Sequence, residues 1–145
     1  VPLINTASLV SVFLCCFGNF VTLEKQKNRI MKVISLNNVE KKKVNMEGAV
    51  GAWKQLPLGS EDGVPVYSFR VFTVDSGGHT PFHHHPYEHM NYVIEGEGAL
   101  INEKGEETPV RAGDFALVEP DEKHQYRNTG TVPFKMICGV PKEFE

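Results

Sequence analysis

Cysteine is scarce in this chain. There are three, and two of them, Cys15 and Cys16, are neighbours. Adjacent cysteines rarely pair with each other and Cys138 lies far away, so the sequence holds neither a disulfide framework nor a C-x-x-C metal or redox pair. A reducing, cytoplasmic setting is the expectation. Basic stretches are equally scarce. Lys41-Lys42-Lys43 is the one basic cluster, acids and bases are otherwise interspersed, and the net charge is −3. That excludes the electrostatic footprint of nucleic-acid binding. The lysine run reads as a solvated strand edge. Helical periodicity is missing from residue 31 onward: no window of helix length repeats apolar residues at i, i+3, i+4 and i+7, which excludes a helical bundle.

Residues 1–30 differ from the rest. The apolar stretch 7–17 is shorter than the roughly 20 residues that a membrane helix needs. It has the length of a signal-peptide core, but no Lys or Arg precedes it and no small-x-small cleavage site follows. The first methionine is Met31. The expectation is a native start at Met31, with residues 1–30 an extension and residues 31–145 one domain outside the membrane. The alternative is a cleaved or anchoring export signal.

What the domain does contain is short runs of β-branched and aromatic residues between Gly, Pro, Asn and Asp. This pattern predicts an all-β sandwich or barrel. Strands are predicted at residues 32–36, 50–56, 67–74, 80–85, 89–95, 99–102, 107–110, 115–118, 124–128 and 134–140, with a turn over 75–78. So many short strands call for one closed antiparallel domain, which also removes exposed edges.

Five of the six histidines lie between His79 and His89, and the sixth is His124. Side chains alternate along a strand, so His83 and His85 share a face and His84 takes the other. His89 follows a corner at Pro86, and a corner can return its ring to the same point. His83, His85, His89 and His124 are therefore the candidate ligands of one ion. All-imidazole sites suit transition metals and not Ca or Mg. His79 sits at the turn before the cluster and reads as a rim or surface residue.

Two segments resemble a known family. Gly77-x5-His83-x-His85-x3-His89-x6-Gly96 resembles the first cupin motif, and Gly113-x10-His124-x3-Asn128 resembles the second. The resemblance covers about residues 45–142. It implies a cupin-type double-stranded β-helix, or jelly-roll barrel, with one divalent transition ion in it. Mn or Fe is favoured, and Cu, Ni, Co and Zn are compatible. The sequence departs from the motifs twice. His89 stands where most cupins carry a ligand Glu, as in the small single-domain cupins with four His ligands, and the neighbouring Glu88 is the alternative ligand. The second motif lacks its Gly and has Pro120 shifted by one position, so the loop must turn by other means, with Asp121 the candidate. Four neutral imidazoles leave the ion's charge uncompensated, which favours an anionic small-molecule ligand and oxidative chemistry.

Strand parity adds the candidate pocket residues Arg70, Asn91, Tyr126, Met136 and Cys138, with Glu88 as a carboxylate that could orient a ligand histidine. A guanidinium inside an apolar barrel would need an anion. The resemblance implies an enzyme of oxygenase type. A ligand-binding or sensing module without turnover and a cupin isomerase or decarboxylase are the alternatives. It also implies a homodimer, with residues 32–36 and 50–56 as the candidate interface.

Overall fold

The computed structural model of the protein describes residues 31–145. The expectations placed on residues 1–30 lie outside the described residues. No helix among the described residues is long and apolar enough to cross a membrane.

Nine strands are present among them: β1 (Lys42–Lys43), β2 (Val50–Leu58), β3 (Tyr67–His79), β4 (His89–Glu95), β5 (Glu97–Asn102), β6 (Glu107–Arg111), β7 (Phe115–Val118), β8 (His124–Asn128) and β9 (Phe134–Pro141). All pairings are antiparallel, in the order β6-β5-β8-β3-β9-β4-β7, with β2 on the remaining edge of β3 and β1 outside it. The fold is thus all-β, a curled antiparallel sheet of the double-stranded β-helix kind, as expected.

The inside of the curl is apolar at one end. Val74, Val93, Val110, Tyr126, Phe134 and Met136 form the core cluster. Tyr126 and Met136 of this cluster also line the cavity that holds the histidines. β3 and β9 run side by side with Arg70 opposite Cys138. β4 continues the sheet, placing Asn91 opposite Cys138 and His89 opposite Val118. Arg70, His89, Asn91 and Cys138 are therefore neighbours by register before any side chain is considered.

Three expected elements differ. Residues 32–36 form no strand. They run as coil into a short 3-10 turn, Leu36–Asn38. Gln55 captures that turn through its Nε2, which donates to the carbonyls of Leu36 and Val39 at 2.9 and 2.8 Å. Residues 80–85 form no continuous strand either. Pro81 and Pro86 have no N–H to give, and His83 alone bridges to His124. Residues 75–78, composed like a turn, belong to β3. Gly77 takes φ 73°, and the register with β2 slips between Val50 and Ala52, as at a bulge. A Cβ on Gly78 would lie 2.6 Å from the Val50 carbonyl, so glycine is what lets β2 approach.

Asp121, in contrast, does what the missing motif glycine requires. It is the one non-glycine with positive φ among the described residues, at 63°, a conformation that Asp tolerates better than most side chains. The end of the second motif is fastened by Asn128. Its Nδ2 donates to the carbonyls of Val74 and Val132 at 2.9 and 2.8 Å, and its Oδ1 accepts from the Gly130 N–H at 2.8 Å. Replacing buried Asn128 by Ala strands these groups. The expected cost is about 2–3 kcal/mol, read as a lower urea midpoint with an unchanged m-value.

Candidate metal centre

The backbone brings the first two ligands together. The His83 N–H donates to the His124 carbonyl at 3.1 Å and the His124 N–H donates back to the His83 carbonyl at 2.9 Å. The two rings sit side by side, centroids 4.8 Å apart. His85 joins through its own carbonyl, which accepts from the Asp121 N–H at 2.8 Å and ties the first motif to the turn of the second. Its ring lies 5.3 Å from that of His83 and 5.0 Å from that of His124. The His84 ring is exposed and faces Asp121 at 4.0 Å. His79 turns its Nδ1 to the Thr80 carbonyl, next to Gln125.

Each of the three clustered rings spends its Nδ1 on a backbone carbonyl. His83 faces Pro81 O at 3.0 Å, His85 faces Tyr87 O at 2.7 Å, and His124 faces Glu122 O at 2.8 Å. A carbonyl only accepts, so Nδ1 carries the proton and Nε2 keeps a free lone pair. The ligand atoms of His83, His85 and His124 all lie within 4.8 Å of one another. The Nε2 of His85 is buried with no hydrogen-bond partner at all. Buried polar atoms are normally satisfied, and convergent imidazole lone pairs with their second nitrogens locked from behind are the donor set of a transition-metal site. The residues therefore fit such an ion.

Burial also holds His85 and His124 in the form that binds metal. It pushes the His124 pKa down to about 4, and it lowers that of His85, in both cases against the carbonyl hydrogen bond that raises it. His89 falls to about 2, through burial first and the Arg70 guanidinium second. The sign follows. A histidine whose folded pKa lies below its unfolded value near 6.5 binds more protons when unfolded. The metal-free protein is thus expected to keep full stability above pH 6.5 and to lose it steadily as pH falls toward 4. Urea midpoints at pH 7.5, 6, 5 and 4 check this, and a flat profile would contradict it.

His89 is placed differently from the other three. Its ring is in the cluster, 4.1 Å from His85 and 5.3 Å from His124. Its Nε2, however, accepts from Arg70 Nη2 at 2.9 Å. Arg70 is 7% exposed. The same Nη2 lies 3.2 Å from Cys138 Sγ, Nη1 reaches the Phe144 carbonyl at 3.5 Å, and Nε has no partner. Among the described residues no carboxylate forms a salt bridge with Arg70. Burial pushes the Cys138 thiol up, and Arg70 pulls it back only in part.

Arg70, Tyr126, Met136 and Cys138 line a cavity of about 240 Å³ together with His83, His85, His89, His124 and, at its exposed rim, His84. Asn91 stands behind this wall, and its Nδ2 donates to the Tyr126 hydroxyl at 2.8 Å. Burial raises the Tyr126 phenol well above its ordinary value, so it stays protonated. Glu88 makes its hydrogen bond with the Tyr67 hydroxyl, at 2.5 Å, rather than with a histidine. Sequence reasoning did not find Tyr87 and Phe144. The Tyr87 ring stacks on His85 at 3.9 Å and 6°, and Phe144 stacks on Tyr87 at 4.2 Å and 10°. A single aromatic after Pro86 and another near the C-terminal end give no periodic signal that could have joined them.

Comparisons with known proteins agree with the fold. A cupin-domain family model matches residues 70–140. The chain is 31% identical over 91 residues to an L-ectoine synthase of Mycolicibacterium gilvum, covering 62% of this chain and 68% of that protein. It is 26% identical over 99 residues to an oxalate-binding protein of Thermotoga maritima, covering 66% of this chain and 81% of that one. Among solved structures it resembles a polyketide cyclase of Streptomyces resistomycificus, with a TM-score of 0.73 and 25% identity over 77% of this chain and 80% of that one.

Proposed function

The chain belongs to the cupin superfamily, and from that premise we propose that it is a small-molecule enzyme of oxygenase type. One divalent transition ion would be held by His83, His85 and His124, with His89 as fourth ligand. Mn or Fe is preferred over Cu, Ni, Co or Zn. The observation that supports this reading is the convergence of three imidazoles whose Nδ1 protons are already committed to carbonyls. A bound ion of this class would supply Lewis acidity and, as Mn or Fe, redox chemistry with dioxygen.

The chain's own residues then select the substrate. Arg70 is a buried guanidinium with a bare Nε and no salt-bridged carboxylate among the described residues. Such a group calls for an anion, so the substrate carries a carboxylate or a similar acidic group. An anion that takes the guanidinium also frees the His89 Nε2 that Arg70 now occupies. Tyr126 stays protonated and can donate a hydrogen bond to the substrate. No carboxylate lines the cavity among the described residues, so no acidic side chain there stands ready as general base. The cavity lies below the usual 300–1,000 Å³ of drug-sized sites, which limits the substrate to a small molecule.

The same lack of a base supports a second reading, in which an acidic small molecule is held without turnover; the Thermotoga relative is named an oxalate-binding protein. Isomerisation or decarboxylation is a third. Oxygen uptake by the Mn- or Fe-loaded protein, across a panel of keto acids, diketones, catechols and thiols, separates them. Oxygen consumed in step with substrate supports the oxygenase. A ligand recovered intact overturns it in favour of binding, and a ligand consumed without oxygen overturns it in favour of the third reading.

We propose further that the chain pairs with a second copy, through an exposed apolar face on β4 and β7 in place of residues 32–36 and 50–56, which the resemblance implies. Met90 and Ile94 on β4, Phe115 and Leu117 on β7, and Phe69 on β3 are large apolar side chains left exposed, Phe115 by 80%. β7 ends the sheet order with one edge unpaired among the described residues. Exposed apolar patches of this kind mark association sites. Phe115→Glu is expected to convert a dimer to a monomer by sedimentation, and a wild type that sediments as a monomer at micromolar concentration would contradict the pairing.

A further inference from the structure

Phe144 and Glu145 pack behind the histidine cluster, against Tyr87, Arg70 and Ser68. Glu145 is the fastening point. Its carboxylate accepts from the Ser60 N–H at 2.9 and 3.1 Å, from the Ser60 hydroxyl at 2.6 Å, and from the Ser68 hydroxyl. Ser60 follows β2, and Ser68 lies on β3, two residues before Arg70. The seat is close-fitting at Gly59, where an added Cβ would lie 2.8 Å from Leu56 Cδ2 and 3.0 and 3.1 Å from the two carboxylate oxygens. Anchoring Glu145 fixes its neighbour Phe144. The Phe144 carbonyl then faces Arg70 Nη1, and its ring covers Tyr87. Tyr87 in turn grips His85 twice, by a parallel ring stack and by the carbonyl that accepts the His85 Nδ1 proton.

We propose that Phe144 and Glu145 are positioning residues of the metal centre. They clamp Tyr87 onto His85 and so fix the tautomer and the aim of that ligand. This proposal rests on the metal reading above. It adds a role for two residues that touch neither ion nor substrate. The physical reason is rotational. An imidazole has two nitrogens, and only the hydrogen bond at one of them commits the other to the ion. Pro86-Tyr87-Glu88 is a loop of three residues outside any strand, and its own bonds do not set the plane of the Tyr87 ring. The stack on Phe144 does, because two planar rings in contact restrict each other's tilt. The other side of the loop is held by Tyr67 on Glu88. Removing the Phe144 ring leaves that tie and frees the Tyr87 face.

The test compares wild type with Phe144→Ala, Glu145→Ala and the conservative Phe144→Tyr. Two quantities are read: Mn(II) or Co(II) affinity by competition with a chromophoric chelator, and the imidazole tautomers of the metal-free protein by long-range 1H–15N correlation. Thermal melting checks that each variant is folded. Outer partners of metal ligands typically carry 10- to 100-fold in affinity. Phe144→Ala is expected to weaken binding by about that factor, Glu145→Ala by about tenfold, and Phe144→Tyr is expected to restore it. The His85 ring alone should pass from the Nδ1-protonated tautomer to a mixture, while His83 and His124 keep theirs. Folded Ala variants that bind metal within twofold of wild type, with His85 unchanged, would overturn the proposal. If the wild type itself takes up no metal, the metal reading falls, and the His85 tautomer in the Ala variants decides the clamp. Should Phe144→Ala fail to fold, Glu145→Ala carries the same comparison.

Discussion

His124→Ala is expected to lower transition-metal affinity by more than about 100-fold, beyond the 10- to 100-fold that loss of an outer partner costs. The fold should survive. His124 is held to His83 by two backbone hydrogen bonds that the substitution leaves in place, and β8 keeps its pairing with β5. What disappears is one of three converging lone pairs, together with the side chain that satisfies the Glu122 carbonyl. Competition titration of metal against a chelator, on variant and wild type at pH 7.5, reads the loss. The same substitution at His84 is the control. Its ring is exposed and faces Asp121, so His84→Ala should leave affinity within about twofold. Equal affinity in wild type and His124→Ala would remove the central histidine from the site.

Arg70→Met should separate function from stability. A buried charge with no opposite charge beside it is costly to keep, and apolar replacement of buried ions is often stabilising by about 1–4 kcal/mol. Arg70 is such a charge, and Met has a comparable length to fill its place between Cys138 and His89. A rise of the melting temperature in the ligand-free protein is the expected result. Binding of the anionic ligand should fall by about 2–5 kcal/mol, the range for truncating one partner of a buried charge pair. That is roughly 30- to several-thousand-fold in affinity. Metal affinity should move the other way. The variant has no guanidinium to repel a dication or to occupy His89 Nε2. Calorimetry with a small dicarboxylate and with the metal measures both arms. A variant that is less stable than wild type, or that binds the anion unchanged, would show that Arg70 is held by its surroundings rather than held ready for a ligand.

The site was legible where chemistry and spacing coincide. His83 and His85 are two apart, and alternation alone turns them to one side even though the backbone there is one bridge and not the strand that was expected. His124 was legible through the motif around it, and Asp121 through the glycine it replaces. Two things were not readable. The first is the state of His89. Spacing brings its ring to the cluster, but the Arg70 contact depends on the register of β3 with β9 and of β9 with β4, a property of the assembled sheet. The second is the outer wall. Tyr87 and Phe144 are 57 positions apart, and nothing local in either segment points to the other. The misread strand at residues 32–36 has a similar cause. Its β-branched pair Val33-Ile34 suits a strand, but a distant side chain, Gln55, takes the backbone carbonyls of Leu36 and Val39.

The most direct test of the central claim is X-ray absorption spectroscopy of the protein loaded with one equivalent of Mn, Fe or Co. A first shell dominated by nitrogen at roughly 2.0–2.2 Å, close to imidazole distances at such sites, with the outer-shell scattering of three or four imidazole rings, is the expected result. Fewer than three rings, or a shell of oxygen alone, would contradict it.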